Sequence, residues 1–393
     1  MRIAYVCADP GLPVFGRKGG SVHVQEVVRA LVRRGDEVHL FATRWGGEAP
    51  ADLAPVVVHA LPEVGRGPAA EREIRARAAD AGLAEALAAA GPFDLVYERY
   101  SLWSRAGMAE ARRAGVPGVL EVNAPLVEEQ ARHRVLVDRA GAEAVARGVL
   151  ADATVVAAVS EEVAAWARRW SPAPSRVHVV PNGVDPERIR PAPRSPDPET
   201  FTVGFVGTLK PWHGLDTLVD AMAVLAVDPG WRLLVVGDGP EAPALARTVE
   251  ERGLAASTEL TGAVDPAAIP GHLARMDAAV APYPALDGFY FSPLKLYEYL
   301  AAGLPVVASS VGQVAEVLDH GRTGVLCPPG DPAALAAALA GLRADPRRCQ
   351  ALGRAGRAEV VRRHSWCQVV ERALALAGAG SDAGADHAVA AVA

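Results

Sequence analysis

Phe291-Ser292-Pro293-Leu294-Lys295-Leu296-Tyr297-Glu298-Tyr299-Leu300-Ala301-Ala302-Gly303-Leu304-Pro305-Val306-Val307-Ala308-Ser309 reads as a polar loop, a helix that opens at Pro293 and stops near Gly303, and a buried strand. A helix start of this kind is an anion site, because its unpaired N–H groups and the positive end of its dipole face the loop. Ser292 and Lys295 are placed to help hold a phosphate there. Glu298, one turn further in, is placed to accept two hydroxyl hydrogens from a ribose. The alternative is an ordinary amphipathic helix with Lys295 and Glu298 as a solvated i, i+3 pair.

The same rhythm runs outward through the chain. Apolar strands are expected at 3–7, 38–43, 56–60, 95–98, 118–122, 154–159 and 177–180, with helices at 22–34, 69–89, 102–113, 127–151 and 161–169. After a turn at 181–185 and a proline-rich stretch at 190–199, strands follow at 202–206, 233–236, 259–261, 278–281, 305–308 and 324–326. Helices accompany them at 215–225, 242–251, 267–275, 293–302, 314–319, 332–342 and 347–362. Continuous apolar strands separated by helices mean parallel sheets covered on both faces. The expectation is an α/β chain of two doubly wound domains, 1–185 and 186–363, a further helix over 364–377, and a Gly/Ala-rich disordered tail over 378–393. Ligands of such sheets bind outside the carboxyl ends of the strands, which makes a cleft between the domains the expected site.

Composition narrows the function. The 393 residues are half hydrophobic and 22% charged, which suits two soluble domains. A net charge of −6 leaves no footprint for nucleic acid. No apolar run reaches the roughly 18 residues of a membrane span, and the first residues enter a strand without a signal-peptide pattern. A cytoplasmic protein is expected, with peripheral membrane contact left open. Cys7, Cys327, Cys349 and Cys367 are scattered without metal-ligand spacing and read as reduced thiols. Of the 40 basic residues, 37 are arginine, and the lysines are Lys18, Lys210 and Lys295, each in a glycine- or proline-flanked loop. A compact ammonium suits a phosphate approached as a point charge.

The stretch at 291–309 resembles the donor-site motif of the retaining nucleotide-sugar glycosyltransferases of family 4, which have the GT-B fold. The family pattern is Glu, seven residues, Glu, a small-residue helix end and a Pro-Val-Val-Ala-Ser strand. Glu298 matches the second glutamate, the first falls on Tyr290, and Ser292 to Lys295 is similar to one subset of the family. The resemblance implies two Rossmann-like domains facing a central cleft, with the acceptor in the first and the donor in the second. It also implies that the helix at 364–377 crosses back to the first domain, and that the donor is a UDP- or GDP-sugar used without a cofactor.

Residue by residue, the resemblance places Gly19 and Gly20 near the donor diphosphate, in a loop where Ser21 is expected to cap the next helix. In the second domain Gly207, Thr208 and His213 flank the diphosphate. Thr208 stands where the family commonly has arginine and His213 where it has lysine, so Lys210 is the candidate for the missing charge. Gly237, Gly262 and Val264 lie in loops around the nucleobase, and Tyr290, Ser292, Leu294 and Glu298 complete the donor set. Lys210 and Lys295 are the expected catalytic residues. On the acceptor side the candidates are Lys18, Arg99, Tyr100 and Asn123, at strand ends 98–100 and 121–125 expected to face the cleft. Many relatives place a histidine near Asn123, and none is adjacent here. His133 and the arginines at 112–113, 132 and 134 read as a solvated helix face, with contact to an acidic acceptor or membrane surface as the alternative.

The expected reaction is transfer of a sugar with retention to a glycan, a lipid-linked glycan or a small molecule. The chain has no Asp-x-Asp metal motif, so lysines would neutralise the leaving diphosphate and no metal is expected. A phosphorylase, a nucleotide-sugar epimerase or a non-catalytic nucleotide-sugar sensor on the same architecture are the rival readings.

Overall fold

The computed structural model describes residues 1–192, 199–286 and 288–380. Most of the expected tail, and most of the proline-rich stretch at 190–199, lie outside the described residues. The chain divides into two compact units, Met1–Pro181 with the chain from Trp366 onward, and Asn182–Ser365.

The first unit alternates β1 (Arg2–Cys7), α1 (Gly19–Arg33), β2 (Glu37–Ala42), β3 (Val57–Ala60), α2 (Ala69–Ala90), β4 (Leu95–Arg99) and α3 (Ala106–Ala114). It continues with β5 (Gly118–Val122), α4 (Leu126–His133), α5 (Arg139–Asp152), β6 (Val155–Ala158), α6 (Glu161–Trp170) and β7 (Val177–Val179). The seven strands lie in the order β3-β2-β1-β4-β5-β6-β7, all parallel. Residues Ile3 to Cys7 of β1 are wholly buried, as a central strand with helices on both faces requires.

In the second unit the order is β8 (Phe201–Val206), α7 (Leu215–Leu225), β9 (Trp231–Val236), α8 (Ala242–Glu251), β10 (Thr258–Leu260), α9 (Ile269–Leu273) and β11 (Ala278–Ala281). Then follow α10 (Leu294–Ala301), β12 (Val306–Ser309), α11 (Gly312–Val317), β13 (Val325–Cys327), α12 (Pro332–Ala344) and α13 (Pro346–Arg363). Its parallel sheet runs β10-β9-β8-β11-β12-β13. A last helix, α14 (Trp366–Leu376), packs on α1 within the first unit. There the His23 ring meets the Trp366 ring edge-on at 4.8 Å and Arg34 pairs with Glu371 at 3.0 Å.

Helix starts are where the sequence reading needs correction. Ser21 does not cap α1: the helix begins at Gly19 with Lys18 in the cap position, and Ser21 is buried with its hydroxyl unpaired. The single helix expected over 127–151 is two. The Glu73 carboxylate takes the N–H groups of Val137 and Asp138, both at 2.8 Å, and Asp138 then caps α5 by accepting from Gly141 N. The helix expected from 102 begins at Ala106 because its first turn is capped from elsewhere. Asp80 accepts from the N–H groups of Arg105 and Ala106, and Glu98 from Met108 N at 2.8 Å. The helix expected over 267–275 is a 3-10 turn followed by the short α9. Pro293 sits at the N-cap rather than inside α10.

Glu98 is thus a fully buried strut, also receiving the Ser104 hydroxyl at 2.7 Å, and not a cleft-facing group. Burial pushes its pKa up to about 7. A carboxyl whose folded pKa is raised contributes stability below its unfolded pKa of 4.5 that is lost as the pH rises towards 7. Glu98→Gln keeps an acceptor for Met108 N and removes the titration. Thermal melts between pH 4.5 and 8 should show wild type losing stability relative to the variant, by an amount of order 3 kcal/mol. Parallel profiles would show that Glu98 does not titrate in this range.

Candidate active site

The second unit's sheet switches direction of winding at β8, whose neighbours are β9 and β11. β8 pairs with β11 only at Val203 and Gly204, and beyond that the two strands diverge. The gap is filled from α10. The Val206 N–H donates to the Tyr299 hydroxyl at 2.7 Å, and Tyr299 is wholly buried. Just beyond Tyr299, α10 stops at Gly303, whose φ of +67° suits glycine, while Arg357 from α13 donates to the Ala301 carbonyl at 2.7 Å. The last turn of the helix is therefore fixed twice.

One turn before Tyr299, Lys295 lies under the end of β8. A Cβ added to Gly207 would stand 3.0 Å from its ammonium, so the absence of a side chain there makes the room. The ammonium lies 3.9 Å from the centroid of the Phe205 ring and 5.8 Å from that of Tyr283. Among the described residues it has no hydrogen-bond partner, and it is 8% exposed, which excludes the solvated-pair reading of the helix. Burial pushes its pKa down to about 7, against the opposing pull of Glu298.

His213 ties the second lysine to the first. Burial, then the charge of Lys295 and, more weakly, that of Lys210 push its pKa down to about 3, while the Thr208 backbone works the other way. These protein groups thus hold His213 neutral. Lys210, half-buried, has its ammonium 5.6 Å from the Trp212 ring. Trp212 stacks on Phe291 at 5.9 Å, and Phe291 meets Tyr290 at 4.4 Å, so Tyr290 ends an aromatic wall beside the lysines.

Backbone bonds lace the neighbouring strand ends together. Gly207 N donates to the Val236 carbonyl at 2.9 Å and Gly237 N to the Gly262 carbonyl at 3.1 Å. Gly207, Gly237 and Gly262 all have positive φ. Val264 packs against the core beside them, and Thr208 is exposed. Leu294 opens α10, and Glu298 is partly exposed one turn on. The Ser292 hydroxyl, expected to touch a phosphate, accepts from Asn182 N at 3.3 Å.

In the first unit Arg99, Asn123 and His23 converge on buried Glu121. Arg99 and Asn123 donate to its Oε1 at 3.0 and 2.5 Å, His23 Nε2 lies 2.7 Å from the same oxygen, and Tyr97 donates to Oε2 at 2.9 Å. Burial would raise the Glu121 pKa, but His23, Arg99 and Asn123 hold it down at about 2. A histidine from α1 rather than from the adjacent sequence therefore shares Glu121 with Asn123. Gly20 lies near the Arg99 guanidinium, and Gly19 and Gly20 form the first turn of α1 instead of a loop. Lys18 is exposed, and Tyr100 is buried against Trp166 at 5.7 Å.

Residues 17–188 match the family described as Glycosyltransferase Family 4, and residues 200–345 that described as Glycosyl transferases group 1. D-inositol 3-phosphate glycosyltransferase of Segniliparus rotundus is 30% identical over 391 residues, covering 94% of this chain and 85% of that protein. The chain belongs to glycosyltransferase family 4. Glycogen synthase of Mycobacterium tuberculosis is 31% identical over 209 residues, 52% of this chain and 49% of that enzyme. Among solved structures, sucrose-phosphate synthase of Thermosynechococcus elongatus matches with a TM-score of 0.73 at 22% identity, covering 95% of this chain and 97% of that one. Anabaena HepE in complex with UDP-glucose matches at 0.70 and 18% identity, covering 95% and 98%. The fold is GT-B, and this family 4 member is a nucleotide-sugar glycosyltransferase. Among the described residues no helix is long and apolar enough to cross a membrane.

The close approach of strand ends makes Gly237 sensitive. At its φ of +133° a side chain is strained, and a Cβ there would run into the Gly207 carbonyl. Gly237→Ala should cost about 2 kcal/mol or more in denaturant unfolding. An unchanged midpoint would show that the Gly207 turn yields freely.

Proposed function

We propose that this enzyme transfers a hexosyl group from a UDP- or GDP-sugar with retention at the anomeric carbon, and that Lys295 and Lys210, rather than a divalent metal, neutralise the departing diphosphate. The observation that carries the reading is Lys295, a buried ammonium without a hydrogen-bond acceptor beneath the Gly207 turn. Such a charge is incomplete until an anion arrives. A diphosphate beside it would also meet the first-turn N–H groups of α10. That HepE has been solved with UDP-glucose supports a uridine donor.

Charge builds on the diphosphate as the glycosidic bond breaks, so cations fixed beforehand lower the barrier more than they favour the bound donor. The acceptor hydroxyl attacks on the leaving group's side and a donor phosphate oxygen takes its proton, which leaves no need for a protein base. Glu298 binds the ribose hydroxyls. Tyr290, which ends the aromatic wall, offers a phenol to the sugar where relatives offer a carboxylate. The acceptor sits in the first unit and the donor in the second, the closing helix α14 completing the first.

Steady-state rates and UDP affinity, with and without EDTA, test these roles in one panel. Lys295→Ala and Lys210→Ala should each lower kcat about tenfold or more, and non-additively, since both act on one group. Glu298→Ala should weaken UDP by about 1.5–3 kcal/mol per lost bond, and Tyr290→Glu should reorder the donor sugars. Full kcat in both lysine variants, or EDTA inactivation that magnesium reverses, would overturn the assignment.

A second outcome follows from the Lys295 pKa of about 7. At pH 8 burial holds this lysine mostly neutral, and a bound diphosphate favours its charged form, so binding takes up a proton. Calorimetric UDP titrations at pH 8 in buffers of different ionisation enthalpy should show uptake approaching one proton. The uptake should fade at pH 6 and vanish in Lys295→Ala. Equal uptake in that variant would place the titrating group elsewhere.

A further inference from the structure

A cavity of about 480 Å³ lies wholly within the first unit, outside the carboxyl ends of β1, β2 and β4 and beside the start of α2. That volume lies within the usual range of small-molecule sites. Neither Lys18, Arg99, Tyr100 nor Asn123 lines it; Arg44, Arg66, Arg72 and Arg134 do. All four arginines are exposed, and among the described residues none of their guanidinium groups has a protein partner. Chance placement on a surface rich in arginine would not also build the surroundings. The turn bearing Arg66 is clamped by Arg75, which donates to the carbonyls of Val64 and Arg66 at 2.7 and 3.0 Å. The first turn of the 22-residue α2 faces the cavity and has no side-chain cap. Thr43, 4% exposed, lines the same cavity with a buried hydroxyl that lacks any partner.

Four carboxylates also line the space, and they differ from the arginines in being engaged. Asp9 accepts from Gly11 N at 2.7 Å, Glu73 from Val137 N and Asp138 N, and Asp80 from Arg105 N and Ala106 N. Glu129 is not free either. Hydrogen-bond donors are therefore in surplus, with planar guanidiniums suited to two oxygens of one phosphate. The carboxylates keep lone pairs that a polyhydroxyl body can use.

We infer that this cavity binds the acceptor through a phosphate group on a sugar or polyol. The phosphate lies between the guanidiniums, the first turn of α2 and the Thr43 hydroxyl. The inference rests on the reading that the first unit takes the acceptor, and its test is kept separate from the donor. Titration of the full-length protein with glucose 6-phosphate, glucose, inorganic phosphate and phosphatidylglycerol vesicles reads the cavity, while UDP reads the other unit.

Glucose 6-phosphate should bind, glucose should bind at least about tenfold more weakly, and inorganic phosphate should compete. Arg44→Gln and Arg72→Gln, on exposed unpaired side chains, should melt like wild type, weaken glucose 6-phosphate about tenfold each, and leave UDP affinity unchanged. Vesicle binding lost in the same variants, with no binding of glucose 6-phosphate, would assign the phosphate to a lipid headgroup. Equal affinity for glucose and its phosphate, unchanged affinity in both variants, or no binding by any phosphate probe would overturn the inference. Loss of UDP binding alone would count against the donor reading and leave the cavity assigned.

Discussion

Taking an ammonium out of water without giving it an anion is expensive. The drop of the Lys295 pKa from 10.5 to about 7 corresponds to roughly 5 kcal/mol against its charged form. The second unit tolerates this because the last turn of α10 is held by Tyr299 under β8 and by Arg357 at Ala301. The ring of Phe205 and the bare Cα of Gly207 leave a space that fits the ammonium but contains no acceptor. The glycine turns at the ends of β8, β9 and β10 bring backbone close together beside that ammonium.

Strands were legible in the sequence almost to the residue. Runs such as those in β1, β5 and β11 are continuous and apolar because both faces are buried, and no competing pattern overlaps them. Helix starts were legible only where the signal is local. Asp331 before Pro332 and Ser160 before Glu161 cap their own helices, whereas the break between α4 and α5 is imposed by Glu73, some sixty positions earlier. A carboxylate that caps across such a distance leaves no mark beside the helix it starts.

The site divides in the same way. Lys295, Glu298 and Lys210 stand beside glycine and proline signals, and the strand-helix rhythm places the two lysines at helix starts that follow strands. Whether Lys295 is solvated or buried depends on Phe205 and Gly207, on another strand, and the local i, i+3 spacing fits both. His23 reaches Glu121 from α1, about a hundred positions earlier in the chain, and no local signal joins the two. The cavity arginines at 44, 66, 72 and 134 span ninety positions on four separate segments, so no motif joins them.

The distant caps of α3 also bear on the order in which the first unit is assembled. Its first turn relies on Asp80 of α2 and on Glu98 of β4, and no residue at its own start accepts a hydrogen bond in their place. A helix whose beginning is supplied by two other elements gains those first-turn hydrogen bonds only once they are in place. α6, opened by Ser160 in its own sequence, carries its cap with it, whereas the start of α3 is stabilised only with strand and helix in position.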